Sequence, residues 1–500
     1  MNRRPMPQSS TAMRHGKACV IGSGPNGLAA AIVLAQAGMQ VQVFEAEPTL
    51  GGATRTLPLT LPGFHHDFGS AVHPLAAGSP FFNSLPLADY GLQWIHPPAP
   101  LAHPFDDGTA ITLERDLAAA EAVLGSFGGP DNPDGRAWRA LMQPLAARWA
   151  DLAPELLRPV LAWPQHPFLL ARFGLNALPT ATFIARRRFR TEPVRALFAG
   201  LAAHSFMALD QPLSAAFGLV LGAAAHAPGW PIPRGGAQSL ANALAAYLAN
   251  LGGSITTGTR IHSLADLPAC DLILADITPR QLLALAPGPP PPSLLTPTYR
   301  RQLADFRYGP AAFKVDYALS RPIPWSASTC LRAGTVHLGG SLAEIAASEA
   351  AMASGRHAER PFVLVTQPTL FDPSRAPEGK HIAWAYCHVP NGAPDSDSAA
   401  TLDRLESQIE RFAAGFSTCI LARHISSPAT LEAMDANLVG GDIGGGAVNL
   451  RQLLFRPTRR QYRTSAPNLY LCSSSTPPGG GVHGMCGFHA ATTALRNHPQ

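Results

Sequence analysis

The sequence predicts an α/β protein in two parts. One is a parallel-sheet unit assembled from separated stretches of chain. The other is an α+β part with a mixed or antiparallel sheet and a helical insertion. Three observations predict this. A strand, glycine turn, helix, strand pattern opens the chain over residues 18–45. A second strand, glycine turn, helix closes it over 469–495. Between them, Ala/Leu-rich helical stretches give way to short alternating segments of strand character.

Gly22, Gly24 and Gly27 are spaced G-x-G-x-x-G directly after the apolar run 18–21. Gly22 permits the sharp turn out of the strand. Gly24 leaves room for a pyrophosphate against the backbone, and Gly27 lets the helix lie close to the strand. Pro25 suits the first helical position, where its missing N–H was unpaired anyway. The helix then aims its free N–H groups and positive dipole end at phosphate. The run 41–44 ends in Glu45, which can accept hydrogen bonds from ribose hydroxyls. A carboxylate there disfavours a 2′-phosphate, and so NADP. Together these parts read as a Rossmann-like dinucleotide-binding unit. Ser23, Asn26 and Ala46 belong to the same candidate site.

Leu50-Gly51-Gly52-Ala53-Thr54-Arg55 follows. Gly51 and Gly52 offer a second close approach of backbone to a cofactor, with Ala53 beside them. Arg55 either faces the phosphates or a flavin, or is an ordinary surface arginine. Residues 63–74, GFHHDFGSAVHP, form a turn dense in hydrogen-bonding groups. Its three histidines have no carboxylate or cysteine partner at helical spacing, so no metal site is expected. His73 is a candidate for proton transfer or substrate orientation, set against a satisfied structural histidine.

A strand is expected at 109–113. Helices are expected over 117–127, 137–161, 193–209 and 213–225. Such an insertion shapes a pocket for an apolar substrate, or forms a helical core, or both. Residues 186–190, RRRFR, are the one basic cluster. It reads as a solvated face or as a contact with anionic lipid head groups. A turn-rich segment at 227–236 leads to a helix over 238–251. Strands at 254–257 and 270–276 then return the chain to its first unit. Residues 288–292, GPPPP, read as a linker. Segments 312–319, 335–338, 362–366 and 381–386 make the second sheet. A helix over 400–416 and a flexible loop at 440–446, GGDIGGG, come next. In the closing stretch, the turn 473–484 and the small-residue helix after it aim backbone N–H groups at an anionic or carbonyl-bearing ligand.

The 500 residues allow two or three domains' worth of core. A net charge of +5 is mild and does not argue for nucleic acid as the main partner. Seven dispersed cysteines without a C-x-x-C pair read as buried thiols in a reducing, cytoplasmic compartment. The H-E-x-x-H and G-x-S-x-G patterns are absent. Residues 1–16 read as a polar, disordered tail without the apolar core of a signal peptide. The apolar stretch 213–225 falls short of the roughly 20 residues a membrane span needs. Peripheral membrane association stays open.

The motifs at 22–27 with Glu45, at 50–53, at 67–82 (DFGSAVHPLAAGSPFF) and at 476–487 (TPPGGGVHGMCG) resemble the phytoene desaturase-like FAD-dependent oxidoreductases. Within that family the likeness is to the branch of pyridine nucleotide-disulfide oxidoreductase domain-containing protein 2. WPIPRGG at 230–236 and residues 253–261 support it. The resemblance implies a discontinuous Rossmann-like FAD-binding domain over 17–79, 228–290 and 464–500, with a substrate domain over 80–227 and 291–463. By similarity Gly22, Gly24 and Gly27 line the pyrophosphate and Glu45 holds the adenosine ribose. Gly52 and Ala53 lie near the phosphates or ribityl chain. Ile261 meets the adenine side through its backbone, and Gly480, Gly481 and Val482 sit at the flavin end. Two departures stand out. Ala53 replaces the arginine common after the two glycines, a role left to Arg55. The serines 473–475 stand where relatives often carry an acid, leaving Ser474 as a ribityl partner.

A single nucleotide fingerprint favours a permanently held flavin, reoxidised by oxygen, a quinone or another carrier. The expected chemistry is hydride transfer between flavin and a C–H bond of an apolar small molecule, forming or saturating a C=C bond. His73 and His483 are the candidates for proton handling. An amine or alcohol oxidase, or a non-catalytic flavoprotein that binds a partner, are the alternatives. The oligomeric state is not legible.

Overall fold

The computed structural model describes residues 16–129, 131–286 and 294–498. Residues 1–15 of the expected tail and the GPPPP linker lie outside the described residues.

The opening motif folds into strand Lys17–Ile21, helix Pro25–Gln36 and strand Gln40–Phe44. These strands are the centre of a five-stranded parallel sheet. Its order is Leu469–Leu471, Leu272–Ala275, Lys17–Ile21, Gln40–Phe44 and Ser254–Thr256. The registers Cys19↔Ile273 and Cys19↔Gln42 set the three inner strands level, so their carboxyl ends open on one side. Lys17–Ile21, Leu272–Ala275 and Leu469–Leu471 carry near-continuous buried apolar runs, whereas Gln40–Phe44 alternates and Ser254–Thr256 is an exposed edge. Helices Pro25–Gln36, Gln238–Asn250 and Met485–Asn497 cover one face through Leu28, Ile32, Leu244 and Ala490. The last helix approaches very closely: a Cβ on Gly487 would lie 1.8 Å from the Asn26 carbonyl oxygen. Pro279–Leu285 and Pro297–Ala304 cover the other face through Leu282, Tyr299 and Leu303.

The second sheet has seven strands, in the order Ile420–Ser426, Ala311–Leu319, His381–Val389, Val363–Thr366, Ala333–Leu338, Ala99–Pro104, Ala110–Leu113. Every pair is antiparallel except Ala333–Leu338 with Ala99–Pro104. Strand Ala99–Pro104 is buried along its length, although prolines at both ends make it read as loop. Alternate residues of Ala311–Leu319 divide between two cores. Phe313, Val315 and Tyr317 face helix Ser398–Phe412, while Ala312 joins the core of the helical insertion.

The insertion differs from the expected helices. The stretch 137–161 is two helices, Asp134–Ala146 and Trp149–Leu156, because Arg148 leaves helical geometry at φ −115°, ψ 28°. The helix expected over 193–209 ends at Ala203, and Phe206 beyond it takes a φ of 56°. Two further helices, Pro167–Ala177 and Ala181–Arg188, fill a stretch for which no helix was expected. The basic cluster occupies the last turn of the second, where cations suit the helix dipole.

Candidate functional site

A cavity of about 720 Å³ begins at the carboxyl ends of the parallel strands and runs to the inner face of the second sheet. This is the side on which open α/β sheets bind ligands. Gly22, Gly24, Pro25 and Asn26 line its first wall. Glu45 and Ala46 follow from the second strand, and Gly52, Ala53 and Arg55 from the next turn. Ile261 lines it from the loop after Ser254–Thr256. Ser474, Gly480, Gly481 and Val482 reach it from the closing turn. His73 lines it as well.

Four expected residues stand behind that wall. Gly27 packs the helix onto the turn: a Cβ there would lie 2.1 Å from the Gly22 carbonyl oxygen. Ser23 and Gly51 brace the acid. The Ser23 backbone N–H and hydroxyl donate to Glu45 Oε2 at 2.9 and 2.6 Å, and the Gly51 N–H donates to Ser23 Oγ at 3.2 Å. The Glu47 N–H donates to Oε1 at 2.9 Å, which leaves that carboxylate oxygen a further lone pair. His483 is fully buried; its Nδ1 accepts the Met485 N–H at 3.0 Å, an anchor for the closing helix.

Arg55 is no surface arginine. It is 4% exposed and stacks over Phe68 at 5.1 Å. Its Nε donates to the Gly52 carbonyl at 2.9 Å and its Nη2 to the Met434 carbonyl at 2.6 Å. It therefore ties the second glycine turn to the end of helix Pro428–Met434. The loop 440–446 is not a slack connection either. Asp442 is buried and accepts the N–H groups of Gly309 and Gly444, each at 2.7 Å. That folds the loop against the closing turn, where a Cβ on Gly480 would lie 2.5 Å from the Gly444 carbonyl oxygen.

The structure adds charged groups that the sequence reading missed. Asp276, at the end of Leu272–Ala275, accepts the Gly27 N–H at 2.8 Å and so already occupies one amide of the helix N-terminus. Burial, countered by that N–H and reinforced by Asp435 and Glu45, raises its carboxyl to about 7. Arg456 is a buried cation on the cavity wall, donating to the Gly445 carbonyl at 2.7 Å. Desolvation lowers its affinity for its proton.

At the far end the second sheet contributes Lys314, Thr335, Leu364, Trp384 and Tyr386. Trp384 and Tyr386 meet edge to face at 4.9 Å. Phe206, Phe217 and Leu221 close this end from the helical insertion. Lys314 pairs with Asp316, two residues along the same strand face, and lies 5.7 Å from the Trp384 ring. Behind them Asp67 pairs with Arg375 at 3.0 Å. Desolvation depresses the Lys314 ammonium, and desolvation raises Asp316 to about 6. The signal for this pair was present as K-V-D in an otherwise apolar strand. Charges at i and i+2 there share a face and need a partner.

His73 is 1% exposed; its Nε2 hydrogen-bonds to Ser70 Oγ at 3.0 Å. Desolvation, only partly offset by Asp67, lowers it to about 4, so it is neutral at physiological pH. His483 is lowered to about 4 by desolvation too. No group of three His, Cys, Asp or Glu side chains arranged to hold a metal ion occurs among the described residues.

Residues 20–85 match the NAD(P)-binding Rossmann-like domain. Over 96% of its length the chain is 27% identical to mouse pyridine nucleotide-disulfide oxidoreductase domain-containing protein 2, covering 93% of that protein. Over 74% of its length it is 28% identical to the phytoene dehydrogenase of Streptomyces griseus, covering 72% of it. The chain is a homologue of both. An oxidoreductase from Methanosarcina mazei shares the fold, with a TM-score of 0.61 at 15% identity, over 96% of this chain and 100% of that one. The chain is thus an α/β protein with a Rossmann-like domain, related to oxidoreductases.

Proposed function

We propose that the protein is an FAD-dependent oxidoreductase acting on C–H or C=C bonds of an apolar small molecule. The observation that carries the reading is the continuity of one cavity from a glycine-rich, Glu45-bearing end to an aromatic end. The residues present fit the cofactor. Gly24 and Gly480 line the cavity with bare backbone, and the wall behind them has no room for a Cβ, which would lie 2.9 Å from Asp276 Oδ2 or 2.5 Å from the Gly444 carbonyl oxygen. Glu45 keeps acceptor capacity for a ribose. Arg456 supplies a buried cation near the closing turn.

When bound, FAD supplies the hydride acceptor or donor. The chain's own residues do the rest. Gly22, Gly24, Gly52 and the closing turn fix the cofactor's polar length. Arg55 holds the second turn against Met434. Trp384, Tyr386, Phe206 and Leu221 exclude water and orient an apolar substrate. His73, neutral at physiological pH, donates or accepts a hydrogen bond at Nε2 but brings no charge. Reoxidation by oxygen or a quinone completes the reading.

That both Trp384 and Tyr386 line the cavity also supports a second reading, oxidation of a neutral amine or alcohol held beside these rings. The test is the same for both. Protein purified natively is expected to be yellow, and the flavin band is expected to bleach under anaerobic conditions with the right compound. A screen over polyenes, alicyclic hydrocarbons, alcohols and amines separates the readings. Absence of bound flavin overturns both.

A further inference from the structure

The helical insertion carries an outer face that the cavity does not explain. From Leu157 to Thr191 the sequence holds six arginines and no aspartate or glutamate. Seven exposed large apolar side chains fall between Val160 and Phe183. They include Trp163 at 91% exposure, Phe168 at 89% and Leu175 at 76%. Side chains of this size, clustered rather than scattered, mark a contact surface.

The backbone holds this face in a defined shape. Helices Pro167–Ala177 and Ala181–Arg188 meet at 91°. Leu169, Phe173 and Ile184 turn inward to the core, leaving Phe168, Leu175 and Phe183 outside. Arg188 donates to Asn176 Oδ1 at 2.8 Å, linking the two helices. The bend is fastened by the Leu213 N–H, which donates to the Leu178 carbonyl at 3.0 Å. Beside it lies a cleft of about 240 Å³ with Leu141, Leu145 and Phe173 in its wall and Arg172 and Arg188 lining it too. An apolar cleft with two guanidinium groups matches an anionic amphiphile, head group on arginine and chain on leucine.

We propose that this face docks on one leaflet of an anionic lipid bilayer. Trp163 and Phe168 insert at the level of the head groups, and Arg172, Arg186, Arg187 and Arg188 meet lipid phosphates. Charge selects this occupant over a second copy of the chain. A two-fold dimer through the face would set its arginines against their own equivalents, with no acid between 157 and 191 to pair them. The inner neighbour of the face is helix Ser214–His226, whose Phe217 and Leu221 line the cavity. Docking would hold that cavity about one helix diameter, roughly 10 Å, from the lipid. The proposal rests on surface composition and shape, so it stands or falls apart from the flavin reading.

The test mixes the full chain with sucrose-loaded vesicles of phosphatidylcholine alone, or of phosphatidylcholine with phosphatidylglycerol. The protein is expected to sediment with the anionic vesicles, at least about tenfold better than with neutral ones, and to be released by salt. Trp163→Ser with Phe168→Ser, and separately Arg186→Glu with Arg187→Glu, are each expected to weaken sedimentation at least about tenfold. These positions are exposed, so the thermal melt should stay at the wild-type value. Failure to bind anionic vesicles overturns the proposal, as does binding that neither pair of substitutions weakens. A homodimer in solution that Trp163→Ser with Phe168→Ser dissociates, without vesicle binding, assigns the face to a second copy instead.

Discussion

The two ends of the cavity are built by opposite means. The glycine end is made mostly of main chain, with a few buried charges, Glu45, Asp276, Arg55 and Arg456, set around it. Its main-chain parts are three short runs, at 22–27, 45–55 and 474–482, and its shape depends on what side chains are missing. The aromatic end is made of side chains from separate strands and helices: Lys314, Thr335, Leu364, Trp384, Phe206 and Leu221. A site that recognises a fixed group can be written in a short motif. A site that sorts apolar molecules is written in how distant elements pack.

The largest expected effect breaks the first end. Gly24→Glu puts a Cβ 2.9 Å from Asp276 Oδ2 and a second carboxylate where phosphate should lie. Flavin absorbance should disappear from the natively purified protein. Retention at the wild-type ratio would refute this placement of the cofactor.

The next tests the buried charge pair at the aromatic end. Lys314→Met leaves Asp316 buried without its counter-charge and is expected to cost about 3–5 kcal/mol in denaturant unfolding. Lys314→Met with Asp316→Leu should recover much of that loss. If the single variant unfolds like wild type, Lys314 is not held for stability and its role lies in the cavity.

Trp384→Ala then probes the aromatic end alone. Flavin content should be unchanged while apparent affinity for apolar substrates falls about tenfold. A loss of flavin with no change in substrate preference would dissolve the division between the two ends.

Asp276→Asn sharpens the glycine end through pH. The folded protein holds this carboxyl at about 7, above its ordinary value of 3.8, so its proton is bound more tightly in the native state. Its contribution to stability is full below pH 3.8 and is lost as pH rises through about 7. The apoprotein variant should therefore gain melting temperature over wild type at pH 8 and gain little at pH 4. FAD affinity of wild type should fall over the same window, as a second anion faces the phosphates; the variant should be flat.

The smallest effect is expected at His73. It is neutral from about pH 4 upward, so the rate of flavin reduction should show no inflection near 6.5 that His73→Gln removes. An inflection there, lost in the variant, would make His73 a titrating group in turnover.

Much of the fold was legible because its signals are local. G-x-G-x-x-G between two apolar runs requires a tight turn and a closely packed helix, and Gly27 against Gly22 gives the reason in atoms. The insertion was less legible. One Ala/Leu stretch at 137–161 cannot tell a continuous helix from two helices broken at Arg148. Strand Ala99–Pro104 was hidden by its prolines, which weaken a ladder from within and are tolerated at its ends. Asp276 and Arg456 gave no signal as ordinary acid and base residues. Only burial beside the glycine turns marks them out.

By itself, the sequence determined the parallel nucleotide-type unit, its return at the chain's end and the acid at Glu45, since backbone turns and strand periodicity are short-range properties. Only the tertiary structure decided that Arg55 is a buried strut, that His483 anchors a helix behind the wall, and that Lys314, Trp384 and Tyr386 face a common space. Those facts depend on which distant segments come to lie side by side, and burial and pairing exist only once they do.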